Sequence, residues 1–244
     1  MDQTSYLFPQ IAFLNPRKHP LFELLTKLLY FGRSPDTSNY VDLKPLFVTP
    51  ALSGFLVTTP DNSLALTGGK FFLASRWRRP ERLRLICYRS LSAKTPALQI
   101  QRLCGLPGDV VQIKAGILHI NGLNADKTLQ LMHIFKVHLK DKDTIHYDPR
   151  QAYTVPPYSD ILYITLTDTY AGDQPAVCEK YLLPPGLRDD TIFSVYRKNW
   201  NRDNFGPVKI PAGKWFVLGD NRGKAIDSRH LGFVDSSKFI GGIL

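Results

Sequence analysis

The chain has 244 residues, 43% hydrophobic and 21% charged, which is enough apolar material for a sizeable core and excludes disorder as its main state. Its 31 basic against 21 acidic side chains give a net charge of +10, which favours an anionic partner such as a lipid surface or nucleic acid. Cys87, Cys104 and Cys178 are widely spaced with no C-x-x-C pair and read as buried thiols, and His133, His138 and His146 lack ligand spacing, so neither a metal nor a cofactor is expected.

From the N-terminus, "LFELLTKLLYFG" (residues 21 to 32) places apolar residues at 21, 22, 24, 25, 28 and 29, a helical period interrupted by Glu23 and Lys27. It predicts a short amphipathic helix, packed on the core or lying in a membrane interface, and falls below the roughly 18 apolar residues of a membrane span. Pro9, Pro16 and Pro20 precede it, which argues against a secretory signal. Short runs rich in β-branched and aromatic residues follow: "SGFLVTT", "GKFFLASR", "RLRLICYR", "LQIQRLC", "DVVQIKAGILHING", "ILYITLT", "TIFSVYR" and "GKWFVLGD". Gly, Pro and Asn punctuate them, and the pattern predicts a mainly β protein, a barrel or folded sheet system. Tight turns are expected at Ala115-Gly116 and Asn121-Gly122. The arginines of "SRWRRPERLRLICYR", Arg76, Arg78, Arg79, Arg82 and Arg84 around Trp77, read as a solvated turn leading into a strand. Residues 123 to 198 mix charged, helix-like and proline-rich loop stretches and read as an elaboration inserted between two β portions.

Two boxes carry a resemblance. "IQRLCGLPGDVV" (100 to 111) followed by "GILHING" is similar to the box of type I signal peptidases that runs aromatic-x-Lys-Arg-x-x-Gly-x-Pro-Gly-Asp into a strand ending in Asn-Gly. "GDNRGKAIDSRHLGFV" (219 to 234) resembles that family's last box, and "NWNRDNFGPVKIPAG" (199 to 213) its lead-in in one bacterial subgroup. The resemblance implies a folded β-sheet core over 55–122 and 199–244, a mixed α/β insertion over 123–198, and an N-terminal region over 1–54 carrying the short helix. The family cleaves signal peptides at the outer face of the cytoplasmic membrane, usually from one or two N-terminal transmembrane helices. With neither anchor nor export signal read here, a cytoplasmic or peripheral location is expected.

In that family a serine attacks the peptide carbonyl and a buried, neutral lysine takes its proton. The resemblance puts Ser63 of "TTPDNSLALTGGKFFL" in the nucleophile position, while an ungapped placement puts Asp61 there. At the lysine stands Gln101, immediately before Arg102, and at the lysine-orienting serine stands Ala225. An amide is no general base. The bracing residues are kept: Arg102, Asp109, Asp220, Asn221, Arg222, Asp227, Ser228 and Arg229. The reading is therefore a signal-peptidase-like protein that binds an extended peptide by β-addition, with catalysis lost or impaired. The alternative is an active peptidase using Ser63 with an unorthodox base, Lys70 or Lys94 first. A membrane surface is retained as a second contact, and a nucleic acid, for which only the arginine cluster speaks, is disfavoured.

Overall fold

The computed structural model describes residues 43–48, 52–57, 71–90, 97–149, 152–154, 160–175 and 177–244. The expected helix at 21–32, together with Asp61, Ser63, Lys70 and Lys94, lies outside them. The first strands are β1 (Leu43–Val48), β2 (Leu52–Val57), β3 (Phe71–Ser75), β4 (Leu85–Ser90), β5 (Ala97–Gly105), β6 (Val110–Lys114), β7 (Ile117–Ile120), β8 (Leu123–Asn124) and β9 (Met132–His138). Then come β10 (Ala152–Thr154), β11 (Ile161–Thr167), helix α1 (Asp168–Gly172), β12 (Glu179–Lys180), helix α2 (Asp190–Tyr196), β13 (Phe205–Lys209), β14 (Lys214–Leu218), the short helix α3 (Ser228–Leu231), β15 (Val234–Asp235) and β16 (Phe239–Ile243).

Among the described residues these strands form three sheets. The largest has the order β1-β2-β3-β16-β4-β5-β14-β15 and joins early and late strands; the second, β13-β6-β7-β8, carries the expected hairpin; the third is β10-β11-β9-β12. The hairpin turns have the positive φ that a tight primed turn needs, at Ala115 and Gly116 and again at Asn121 and Gly122. Strand β5 has β4 on one edge and β14 on the other, and both faces of its C-terminal half are buried, so its apolar residues run on as Leu103 and Cys104. Leu103 packs with Ile86, Tyr88, Trp215 and Val217, whereas Cys104 packs with Val111, Leu118, Phe205 and Phe216. At Gly105, the last residue of β5, a Cβ would sit 2.1 Å from Ile210 Cδ1 and 2.9 Å from Val111 Cγ2, so these side chains pack directly on bare backbone just before the turn at Leu106-Pro107-Gly108.

One expectation fails. Residues 191 to 197, read as a strand from their β-branched and aromatic content, fold as helix α2. Asp189 caps it by accepting from the amides of Thr191 and Ile192, Arg197 closes it in the left-handed region, and Ile192 is fully buried. Tertiary burial and the cap outweigh a preference worth a few tenths of a kcal/mol per residue. The stretch "MHIFKVH", within the segment read as a mixed α/β insertion and not singled out there, is strand β9, paired over its full length with β11. Its Phe135 and Val137 enter a separate core with Leu162, Ile164 and Leu166, and this shared face together with full-length pairing to β11 decides the strand. His133, on the same face, is 4% exposed, and its Nδ1 lies 2.8 Å from Asp168 Oδ1, an oxygen shared with Lys180 at 2.8 Å.

Candidate functional site

The two boxes meet at β5 and β14, which run antiparallel with Leu218 opposite Arg102. Arg102 leaves β5 where the last box begins its turn, and its guanidinium grips Asp220 with two bonds, Nε to Oδ1 at 2.7 Å and Nη2 to Oδ2, while Nη1 donates to the carbonyl of Leu83. Asp220 is 2% exposed, so this planar, bidentate pair fixes the turn in a site almost closed to water. Asp220 and Arg222, neighbours in the box, do not pair with each other. Arg222 instead reaches Asp126 at 2.9 Å. The turn is also tied to the start of β9, since Met132 donates to the Asp220 carbonyl at 2.9 Å and accepts from the Arg222 amide at 2.8 Å.

Asp227 and Arg229, both essentially unexposed, form the centre of the wall. Asp227 accepts from Arg229 Nε at 2.8 Å, Arg229 Nη2 at 2.7 Å and the amides of Gly219 and Arg229, both at 3.1 Å. Burial works against its ionisation, yet the Arg229 charge and these donors hold its carboxyl well below the usual carboxylate range. Arg229 spends its remaining donors on the carbonyls of Arg202 and Arg222, through Nη1, and of Ala225, through Nη2. Ser228 serves as an acceptor, its Oγ bonded by the Val217 amide at 2.9 Å and its carbonyl by the Tyr196 hydroxyl at 2.6 Å. In the middle box, Asp109 is clasped by Arg82 through two bonds of 2.7 Å and by Asn121 Nδ2 at 2.9 Å.

Gln101 lies on β5 beside this wall and is 5% exposed. The Tyr88 hydroxyl donates to its Oε1 at 2.8 Å and its Nε2 donates to the Ile226 carbonyl at 2.9 Å. The amide is thus held at both ends, with Ala225, 2% exposed, just before Ile226 in the chain. Burial pushes the Tyr88 phenol far above its ordinary range, so its proton stays in place as the donor. Chemically these residues make a rigid frame. The carboxylates are committed to arginines, and Gln101 has no basic nitrogen with which to take a proton.

The decisive observation is one of likeness. A family model described as "Signal peptidase, peptidase S26" matches residues 48–244. The chain belongs to this signal peptidase family. It is 28% identical over 165 residues to a signal peptidase I of Rickettsia typhi (strain Wilmington) and 30% over 164 residues to one of Rickettsia akari (strain Hartford), in each case across 67% of this chain and 50% of the relative. The chain therefore spans about half the length of these curated relatives. A signal peptidase I of Bacillus licheniformis shares 54% over 39 residues, 16% of this chain and 21% of its own length. A solved signal peptidase I from Enterococcus faecalis V583 aligns with 68% of this chain and 98% of its own at 20% identity and a TM-score of 0.35.

The structure thus brings Gln101, Arg102, Asp220, Asn221, Arg222, Ala225, Asp227, Ser228 and Arg229 of this signal peptidase family member to one wall, with Asp109 braced at the base of β6. Sequence reasoning missed three participants. Tyr88 was hidden in an ordinary strand, Asp126 lay just past the middle box in what read as the insertion, and Arg82 was absorbed into a solvated cluster. Lys224 was passed over although it stands directly before Ala225; it is half-buried, and burial holds its ammonium below the ordinary lysine value against the opposing charge of Asp148.

Proposed function

We propose that this signal peptidase family member binds an extended, signal-peptide-like segment along its β core without cleaving it. The observation that carries this reading is the amide of Gln101, bonded to Tyr88 and to the Ile226 carbonyl at the position where the family resemblance puts the lysine base. A serine attack needs an acceptor for the hydroxyl proton, and losing a general base typically costs a factor of about 10² to 10⁴. Ala225, where the resemblance puts the orienting hydroxyl, agrees with this loss, because a hydroxyl there would have no amine to serve. Arg102, Asp109, Asp220, Asn221, Arg222, Asp227, Ser228 and Arg229 then act as bracing that keeps the peptide-facing strands in place. Binding uses main-chain pairing at a strand edge, with pockets for alternate side chains.

The test pairs two measurements on the full chain: turnover of a fluorogenic signal-peptide substrate, and anisotropy of a labelled, non-cleavable peptide of the same sequence. Binding without turnover is the expected result. A second reading, an active serine peptidase using Ser63, draws on Lys224, whose burial favours the neutral amine a base requires. Turnover that disappears in both Ser63→Ala and Lys224→Met would replace the first reading with the second.

A further inference from the structure

The third sheet turns Phe135, Val137, Leu162 and Ile164 into a core on one face and leaves its other face outside it. Strand register lays one row across that outer face. Tyr153 of β10 stands opposite Tyr163 of β11, Tyr163 opposite Lys136 of β9, and Lys136 opposite Glu179 of β12, and directly opposed residues share a face. The Tyr153 and Tyr163 rings stack at 5.3 Å with 13° between their planes, and Tyr181, just beyond β12, sets its ring edgewise to Tyr163 at 4.9 Å. Lys136 Nζ and the Arg202 guanidinium lie over the Tyr181 ring at 5.4 and 5.7 Å. Beside the row, Ile161, Pro175 and Val177 line a cleft of about 310 Å³ with Lys136 and Glu179 at its rim. Tyr153 is 41% exposed, and Tyr163 and Tyr181 are half-buried. None of the three phenol hydroxyls bonds another described residue, and none is shut away from water.

We propose that this face is a docking surface for a proline-rich, extended segment of a partner polypeptide. Complementarity of rings, donors and charge selects that occupant. A polyproline II segment brings pyrrolidine rings that seat in aromatic-lined grooves, and its prolines carry carbonyls that accept hydrogen bonds but no N–H that needs an acceptor. The face answers with donors: the phenols of Tyr153, Tyr163 and Tyr181 and the ammonium of Lys136. It carries two cations to one carboxylate, and that carboxylate, Glu179, is already set against Lys136 at 3.4 Å. Such a segment is extended before it docks, so ordering it costs little. A single-stranded nucleic acid would call for open ring faces in succession. Here Tyr153 and Tyr163 each spend a face on the other, and Glu179, 75% exposed, would oppose a phosphate backbone. Arg202 joins the face to the wall, since its carbonyl accepts from Arg229 Nη1, yet none of the wall's side chains enters the row. The surface therefore stands whether or not the wall binds a signal-peptide-like segment.

The test uses the full chain with a labelled oligoproline peptide and a glycine–serine peptide of the same length, read by anisotropy and by amide NMR shifts. We expect saturable binding of oligoproline alone, with shifts gathered around Lys136, Tyr153, Tyr163 and Tyr181. Tyr153→Ala, which removes an anchoring ring, should weaken it about 30-fold. Tyr153→Phe keeps the ring and the fold and removes one donor, and should weaken it about fivefold. A non-cleavable signal-peptide-like segment should bind both variants as it binds the unmodified protein. No binding of oligoproline, equal binding of the glycine–serine peptide, shifts elsewhere in the chain, or unchanged affinity in both variants would overturn the assignment. A parallel loss of the signal-peptide-like segment would merge this face with the wall's own site. Tighter binding of oligodeoxythymidine than of oligoproline, weakened by Tyr153→Ala, would move the surface to nucleic acid.

Discussion

Replacing Tyr88 by Phe removes one oxygen atom and leaves the ring in place between Ile86 and Leu103, so its effect isolates the hydroxyl that holds Gln101. With Tyr88 2% and Gln101 5% exposed, water has no ready route to the abandoned Oε1, and a buried acceptor left without a donor costs about 1 to 3 kcal/mol. For a chain of this size about 2 to 4 °C of melting temperature corresponds to each kcal/mol, so Tyr88→Phe should melt about 2 to 12 °C lower. Gln101→Met should cost a similar amount, since it strands both the Tyr88 hydroxyl and the Ile226 carbonyl. In Tyr88→Phe/Gln101→Met the stranded hydroxyl and the stranded acceptor vanish together, leaving only the Ile226 carbonyl unpaired. The double variant should therefore lose less than the sum of the singles, by about 1 kcal/mol or more, measured by urea unfolding of all four proteins at one pH. Additivity within about 0.5 kcal/mol would show that no buried bond joins these residues, and the account of Gln101 as an amide locked in place would fall.

Asp227→Asn should destabilise by about 3 to 5 kcal/mol, because it leaves the buried Arg229 charge without its counter-ion. Its folded carboxyl titrates well below the unfolded value near 3.9, so its contribution is complete above about pH 4 and lost as the pH falls further; the acid limb of stability against pH should be shallower in this variant. Cys87 and Cys104, whose thiols burial pushes up to about 12, should resist a thiol reagent at pH 7 until the protein unfolds, and rapid native-state reaction at either would contradict their packing. Gln101→Lys alone should leave a signal-peptide assay silent, whereas Gln101→Lys with Ala225→Ser and Asp61→Ser should give cleavage that Ser63→Ala abolishes; continued silence of the triple variant would remove Ser63 from the nucleophile position.

What could be read from the residues follows a physical line. Turn chemistry and strand composition are local, so the hairpin from Val110 to Ile120, with its turns at Ala115-Gly116 and Asn121-Gly122, was legible, as were β4, β5, β11 and β14. Helix α2 was not, because Thr191, Ile192, Phe193 and Val195 have strand-like side chains, and what makes them helical is a cap at Asp189 and a hole in a distant core that Ile192 fills. Strand β9 was obscured by His133, Lys136 and His138, polar residues that fall on both of its faces and fit a strand only once β11 lies alongside. Within the wall, the residue types were legible and the partners only in part. Asp227 and Arg229 are close in sequence and do pair, but the charges of Asp220 and Arg222 are satisfied by Arg102 and Asp126 from other elements. Pairings of that kind depend on the register of β5 against β14, which no local pattern encodes.

The placing of β16 has a consequence for biogenesis. That strand, Phe239–Ile243, enters the large sheet between β3 and β4. Until it is made, a ribosome-bound chain presents β3 and β4 as two raw edges, Phe71–Ser75 and Leu85–Ser90, with hydrogen-bonding groups and apolar side chains open to any passing strand. Assembly of this sheet therefore has to wait for late translation, and the interval is one in which a holding chaperone, or a neighbouring nascent copy, competes for the same groove.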